Sequence, residues 1–359
     1  MSMLLTGAGG FLGTRIAEGA LGAGVTDLRL QFRKKAPAGW IEKLRGRYPQ
    51  ARIEPVFANL LGRGKLGDAV AGVDCIVHAA AGTRGDAADM FANTVVGTRN
   101  LLEAAADAKV RRIVLVSSFA VYRTENLPRG ALHDERVPIE SSGIEKGAYA
   151  YSKTAQEQLF DEYCQRCNFE SVVLRPGVIY GEGGGALSSR VGIQALGFFF
   201  SLGGSAKLPL TYVENCADAV IQAALKAPSG SAYNVVDDDL PSCSAWLRAY
   251  RRQVRRLRRL PVPYWMLLLG SRGLVRYHRK SRGQLPAVFT PYVGRSMYRP
   301  LRYSNQALKN SGWQQRIHTA EGMQRGFRYV RLRESWGTSG TPPCPQRGDS
   351  YGLLGARPQ

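Results

Sequence analysis

The stretch Met3-Leu4-Leu5-Thr6-Gly7-Ala8-Gly9-Gly10-Phe11-Leu12-Gly13 joins a short apolar strand to a glycine-spaced turn and then to a helix. Gly7, Gly10 and Gly13 stand at G-x-x-G-x-x-G spacing. Glycine at such positions permits a tight turn, lets backbone N–H groups approach a pyrophosphate, and lets the helix pack close to the strand. The helix, read over residues 11–21, then points its positive N-terminal end at the phosphates. A glycine-rich turn of purely structural purpose can imitate the spacing. Its place after a strand and before a helix favours a dinucleotide-binding loop.

Outward from that loop, residues 27–32 read as a second strand that runs into Arg33, Lys34 and Lys35. A carboxylate near this point would accept hydrogen bonds from the adenosine ribose of NAD, whereas a basic residue can hold the extra phosphate of NADP. Three basic residues and no carboxylate make NADP the preferred cofactor and NAD the alternative, with a solvated turn as the plain reading of the same charges. Residues 52–57 make a third strand. Residues 73–81 make a fourth, ending in Ala79, Ala80 and Ala81, whose small side chains let the backbone run along a cofactor. His78 in that strand reads as a satisfied core group rather than a catalyst. Residues 93–106 read as a helix, with Val95, Val96, Leu101 and Leu102 at helical spacing, and residues 112–118 as a fifth strand. Strands alternating with helices in this rhythm predict a parallel sheet covered on both faces.

Three side chains then compose a candidate catalytic set. Ser118 ends the fifth strand, and Tyr149 and Lys153 fall at i and i+4 on one face of the helical run 149–163, with Tyr151 on the other side. A tyrosine serving as acid or base needs a pKa below its free value of roughly 10, and an adjacent ammonium achieves this by stabilising the phenolate. Lys153 supplies that charge, and Ser118 can orient a substrate oxygen. Their order after the glycine loop gives a common Y-x-x-x-K spacing its meaning.

On residues 6–13, on Asn93-Thr94-Val95-Val96-Gly97-Thr98, Ser117-Ser118-Phe119-Ala120-Val121-Tyr122, Tyr149 through Lys153, and Leu174-Arg175-Pro176-Gly177-Val178-Ile179-Tyr180-Gly181, the chain resembles an extended short-chain dehydrogenase/reductase. The type is that of the NAD-dependent epimerase/dehydratase family, over about residues 3–330. The resemblance implies a Rossmann-type doubly wound parallel sheet with a smaller C-terminal substrate-binding part, a nicotinamide cofactor, and Ser118, Tyr149 and Lys153 in the roles just argued. It also implies that Pro176 and Gly177 line the nicotinamide, that Asn59 and Leu60 stand where the family often has an Asp-Leu pair near the adenine, and that the protein is a homodimer. With Gly7, Gly9, Gly10, Phe11, Leu12, Gly13, Arg33, Ala79 and Ala80, these complete the expected cofactor contacts; Tyr149 and Lys153 belong to them too. Arg123 replaces a glycine common after Val-Tyr. The run Lys207 to Asn215 lacks an arginine that many nucleotide-sugar enzymes carry there. Tyr180 to Gly183 and Tyr212 to Asn215 are similar to the 3β-hydroxysteroid dehydrogenase branch, whose substrates are apolar, and residues 196–200 could line such a pocket. The expected reaction is hydride transfer at a carbinol or keto carbon of a sugar-derived or hydrophobic substrate, the alternative being a non-catalytic NADP-sensing relative.

The remaining expectations come from composition. A chain of 359 residues with 44% hydrophobic content can bury a sizeable core. Six cysteines make no disulfide framework, the lone C-x-x-C of Cys164 and Cys167 lacks a second pair to hold a metal, and a strand beginning near Met1 leaves no room for a secretory signal. A cytoplasmic protein without a metal is the expectation. Residues 1–180, with 213–240 returning to them, form the expected cofactor domain; 181–212 and 241–330 form the substrate part; and 334–359, rich in Gly, Ser, Thr, Pro and Arg, form a disordered tail. Asp237, Asp238 and Asp239 read as the polar exit of a returning strand at 232–236, preceded by a helix at 217–225.

Charge is unevenly placed. Residues 1–240 carry 26 Lys and Arg against 25 Asp and Glu, while residues 241–359 carry 23 against 3, so +20 of the net +21 lies in the last third. No nucleic-acid-reading module accompanies it. A single amphipathic helix over residues 246–260 is predicted, with Trp246, Leu247, Tyr250, Val254, Leu257 and Leu260 on one side and seven arginines on the other. Its arginine face is either merely solvated or, beside the apolar run at 264–269, a peripheral contact with an anionic membrane at the inner face.

Overall fold

Seven parallel strands carry the fold of the computed structural model, which describes residues 1–280 and 290–336. They are β1 (Ser2–Thr6), β2 (Asp27–Phe32), β3 (Arg52–Phe57), β4 (Cys75–His78), β5 (Arg112–Val116), β6 (Glu170–Pro176) and β7 (Ser231–Val235), in the spatial order β7-β6-β5-β4-β1-β2-β3. Helices α1 (Phe11–Gly22), α2 (Gly97–Asp107), α3 (Ala148–Cys167) and α4 (Val213–Lys226) cover the sheet. Successive strand residues point to opposite faces, so the apolar strands feed two cores. Met3, Leu5, Val77, Val114, Val172 and Leu174 pack with α1 and α4. Leu4, Ile76, Ile113, Leu115 and Val173 pack with α2 and α3. The parallel sheet covered on both faces that the strand–helix rhythm predicts, and the doubly wound α/β architecture that the resemblance implies, are the ones observed.

Several boundaries differ from the sequence reading for local reasons. The fifth strand stops at Val116, because Ser118 leaves it to cap a short turn at Phe119–Val121. The fourth stops at His78, and the Ala80 N–H turns to the Thr6 hydroxyl at 3.3 Å. The helix expected over 93–106 opens with a wide turn, Ala92–Val96, before α2. Asp237 is no polar exit. It is 1% exposed and accepts from the Tyr212 N–H, the Asn215 amide and the Tyr180 hydroxyl, tying β7 to the start of α4.

The last third departs further. Helix α5 (Cys243–Gln253) ends before the arginine run, and Arg259–Pro261 forms a short strand parallel to Phe198–Ser201, itself hairpinned with Gly192–Ala195. A continuous helix to Leu260 would stack Arg251, Arg252 and Arg255 one turn before Arg255, Arg256 and Arg259, and like charges at that spacing oppose helix. Leu260 is accordingly exposed rather than on an apolar helix face. Of residues 196–200, Phe199 enters the core with Trp246, Tyr250 and Phe327, while Leu196 and Phe198 face outward. Helices α6 (Tyr264–Lys280), α7 (Pro291–Tyr298) and α8 (Thr319–Trp336) follow, so residues 334–336 are helical. The rest of the expected tail, 337–359, lies outside the described residues, as do residues 281–289. No helix of the described residues is long and apolar enough to cross a membrane.

Candidate active site

The glycine loop is built by exclusion of side chains. Gly7 has φ +68°, a region glycine enters without strain, and a Cβ there would stand 3.0 Å from the Ala80 backbone. A Cβ on Gly13 would lie 2.1 Å from the Gly7 carbonyl oxygen. The loop is therefore pressed between β4 and the first turn of α1, with the Gly10 N–H donating to Gly7 O at 2.9 Å. Gly9 abuts the Phe32 ring, and Phe11 lies under the backbone of Gly183 and Gly184, with Leu12 behind it. Gly10 caps α1 without a side chain, which leaves the first N–H groups of the helix open to an anion. These residues fit a dinucleotide pyrophosphate.

Gln31 holds this loop, a role the sequence reading missed. Its side-chain oxygen accepts from the Gly7 N–H at 3.1 Å, and its amide donates to Ala58 O at 2.6 Å. A polar residue between Leu30 and Phe32, at the end of β2 nearest the glycine loop, was the available signal. Arg33, Lys34 and Lys35 follow β2 as exposed residues, and Arg33 reaches Asn93 Oδ1 at 3.5 Å. Asn59 is exposed beyond β3, and Leu60 is buried against Gly97, its carbonyl accepting from Asn100 at 2.8 Å. Ala79 and Ala80 border the loop. Pro176 closes β6, and Gly177 passes so near Pro209 O that a Cβ would be 2.2 Å from it.

Lys153 is 3% exposed and donates from Nζ to the Val116 carbonyl and to Gln156 Oε1, both at 2.7 Å. That seats the amine at the C-terminal end of β5, two residues before Ser118 and one turn after Tyr149. Ser118 is half-buried, its Oγ accepting from the Ala120 N–H at 3.2 Å, and Tyr149 is half-buried in the first turn of α3. Burial lowers the Lys153 pKa to about 7, against a pull upward from Glu157. Tyr151 stacks on Phe91 instead, on another side of the helix.

Two further residues of α3 belong to this region and were not singled out from sequence. Gln156 donates to Thr98 Oγ1 at 2.8 Å. Thr98 gives its own proton to the Thr94 carbonyl and so accepts from His78 Nε2 at 2.8 Å, which leaves His78 Nδ1 to accept from Thr6 Oγ1 at 2.7 Å. His78 is the satisfied core group its position implied, its pKa lowered to about 3 by burial and the nearby Lys153. Glu157, one turn beyond Lys153, pairs with Arg175 and accepts from Ser117 at 2.5 Å. Continuing the i+4 step from Tyr149 through Lys153 finds Glu157 in the sequence.

A parallel sheet of this order, a glycine loop shaped for a pyrophosphate, and Lys153 seated at the end of β5 one helical turn after Tyr149 are the features of the extended short-chain dehydrogenase/reductase fold. Residues 3–236 match the NAD dependent epimerase/dehydratase family, and the chain belongs to it. It is 30% identical over 218 residues to cinnamoyl-CoA reductase 1 of Petunia hybrida, a match that takes in 60% of this chain and 64% of that protein's length. It is 28% identical over 241 residues to a 4-hydroxy-2-methyl-3-oxo-4-farnesyl-3,4-dihydroquinoline-1-oxide ketoreductase of Stigmatella aurantiaca, covering 66% of this chain and 68% of that one. The fold superposes on the UDP-glucose 4-epimerase of Thermus thermophilus, complexed with NAD, at a TM-score of 0.68 and 20% identity, over 92% of this chain and 99% of that chain.

Proposed function

We propose that the protein is an NADP(H)-dependent oxidoreductase acting at the carbonyl or carbinol carbon of a hydrophobic substrate. The observation that carries this reading is the seat of Lys153 at the Val116 carbonyl, one helical turn from Tyr149 and at the end of the strand that leads to Ser118. Bound NADP(H) would supply or accept the hydride. The loop from Gly7 to Gly13 would hold its pyrophosphate, Arg33 with its lysine neighbours the extra phosphate, and Pro176 and Gly177 the nicotinamide side. Tyr149 gives a proton to the substrate oxygen during reduction and takes it back during oxidation. The Lys153 ammonium favours the phenolate form, and Ser118 orients the oxygen by a hydrogen bond.

A hydrophobic substrate is favoured over a nucleotide sugar by the reductase names of both relatives. It is also favoured by Lys207, the cation nearest the place of the missing arginine, which spends its ammonium on the Leu240 carbonyl at 2.8 Å. The same reading carries a homodimer, which sedimentation velocity tests. The function is tested by following NADPH and NADH oxidation with an aromatic acyl-CoA, a hydrophobic ketone and a UDP-sugar. The reading expects NADPH oxidation with one of the first two. Conversion of the UDP-sugar alone, without net cofactor oxidation, would overturn it in favour of an epimerase.

A further inference from the structure

Three neighbouring elements expose apolar side chains that the described residues leave uncovered. On α6, Ser271 is buried and Leu268 lies against Gly294 of α7, whereas the outer side shows Trp265 at 63%, Met266 at 48% and Leu269 at 56% exposure. A helix packed on a core ordinarily turns polar residues outward; the first two turns of α6 do the reverse. The hairpin turn at Leu196 and Gly197 is the second element. Both residues have positive φ, +51° and +76°, where Asn and Gly are the ordinary choices, yet Leu196 occupies the first place at 91% exposure. A large aliphatic residue there neither eases the turn nor packs, and such an outlier points to function. The third element links the other two: Arg259, Leu260 and Pro261 pair with Phe199, Phe200 and Ser201 of the hairpin and lead through Pro263 into α6. Strand pairing and chain connection thus join the three elements.

The charged residues of the stretch 248–260 that runs into this strand are all arginines. Arg248, Arg251, Arg252 and Arg256 line a single shallow depression, and Arg258 and Arg259 are exposed beside the hairpin. Arg255 pairs with Glu334 at 3.4 Å, but these six form no ion pair with a described carboxylate. We propose that these elements and arginines form a docking surface for an anionic lipid membrane, on which the protein rests without crossing it. Arginines suit the headgroup layer and Leu196, Trp265, Met266 and Leu269 the acyl boundary beneath it. A nucleic acid would satisfy the arginines but offers nothing to the exposed aliphatic side chains. The surface stands independently of the substrate reading.

The full-length protein is floated with vesicles of phosphatidylcholine alone or mixed with phosphatidylglycerol. Binding should require the anionic lipid at low salt and fade toward 1 M salt, as the Debye length shrinks from about 10 Å at 0.1 M to about 3 Å. Brominated acyl chains should quench Trp265 emission in the bound protein, and Trp265→Phe should remove that quenching while flotation persists. The double variant Leu196→Glu/Trp265→Glu, altered only at exposed positions, should lose at least tenfold in bound fraction with unchanged turnover in solution. Equal flotation on both lipids, no flotation, or no quenching on the unaltered protein would overturn the proposal. So would self-association that the double variant abolishes, which gives the face to a second copy, or duplex DNA binding that the double variant retains.

Discussion

Lys153 and Gln156 share a hydrogen bond of 2.7 Å, amine to amide oxygen, in an interior that excludes water from both side chains. Through its amide nitrogen Gln156 reaches Thr98, and through Thr98 and His78 the contact chain ends on Thr6, the residue before the glycine loop. The Lys153 amine, one helical turn from Tyr149, is thus tied to the strand that carries the glycine loop.

Gln156→Leu removes one of the two acceptors that hold the Lys153 amine. Turnover should fall about tenfold or more, with its pH profile displaced, because losing an acceptor for the charged amine disfavours that charge further. Gln156→Glu, which restores an oxygen acceptor, should recover much of the rate. A variant that only lost stability, with an unmoved pH profile, would make Gln156 a packing residue.

Arg33→Ala should weaken NADPH binding selectively. A charge-assisted contact contributes roughly 1.5–3 kcal/mol, or about tenfold or more in affinity, and NADH should be spared. Fluorescence titration of both cofactors decides this; equal losses for the two would detach Arg33 from the extra phosphate.

Two glycine-to-alanine changes should behave oppositely. At Gly13 the new Cβ meets the Gly7 carbonyl at 2.1 Å, so the loop must shift and both stability and cofactor affinity should drop. Gly46, inside the helix Trp40–Arg47, has nothing within 4 Å of its Cβ position, and alanine there should stabilise by about 0.5–1 kcal/mol. Thermal melts with and without NADPH measure both.

Stability should fall as pH drops from about 6.5 toward 3. His78 and His133 are buried and neutral, each with its pKa lowered to about 3, so only the unfolded chain takes up their protons in that window. His133 sits edge-on among Phe119, Tyr122 and Tyr303, and neither of its ring nitrogens has a partner among the described residues. Asp237, with its pKa raised to about 6 by burial, works in the opposite sense between its ordinary value of 3.8 and 6. His133→Phe should therefore flatten the acid slope by about 1.4 kcal/mol per pH unit near pH 5, read from urea midpoints. An unchanged slope would mean that His133 is already charged.

The sheet was legible because its central strands β1, β4 and β5 are apolar runs, and Leu4 alternating with Met3 and Leu5 needs no long-range knowledge. The glycine loop and the Tyr149-Lys153 pair were legible because their spacing is local. Gln31, Gln156 and Asp237 were not, since each is a polar residue whose value lies in partners distant along the chain: Gly7, Thr98 and Tyr180. The arginine helix failed because periodicity to Leu260 ignored charge repulsion and the hairpin strand waiting to pair with Arg259–Pro261.

The central claim is that Tyr149 transfers the proton at a site that Lys153 tunes and the glycine loop supplies with cofactor. Single-turnover oxidation of bound NADPH by a hydrophobic ketone substrate, compared between the unaltered protein and Tyr149→Phe, tests it most directly. The account predicts roughly a 10²–10⁴-fold slower step with NADPH affinity nearly unchanged, because only the hydroxyl is lost. A Tyr149→Phe protein that oxidises NADPH within a few-fold of the unaltered rate would contradict it.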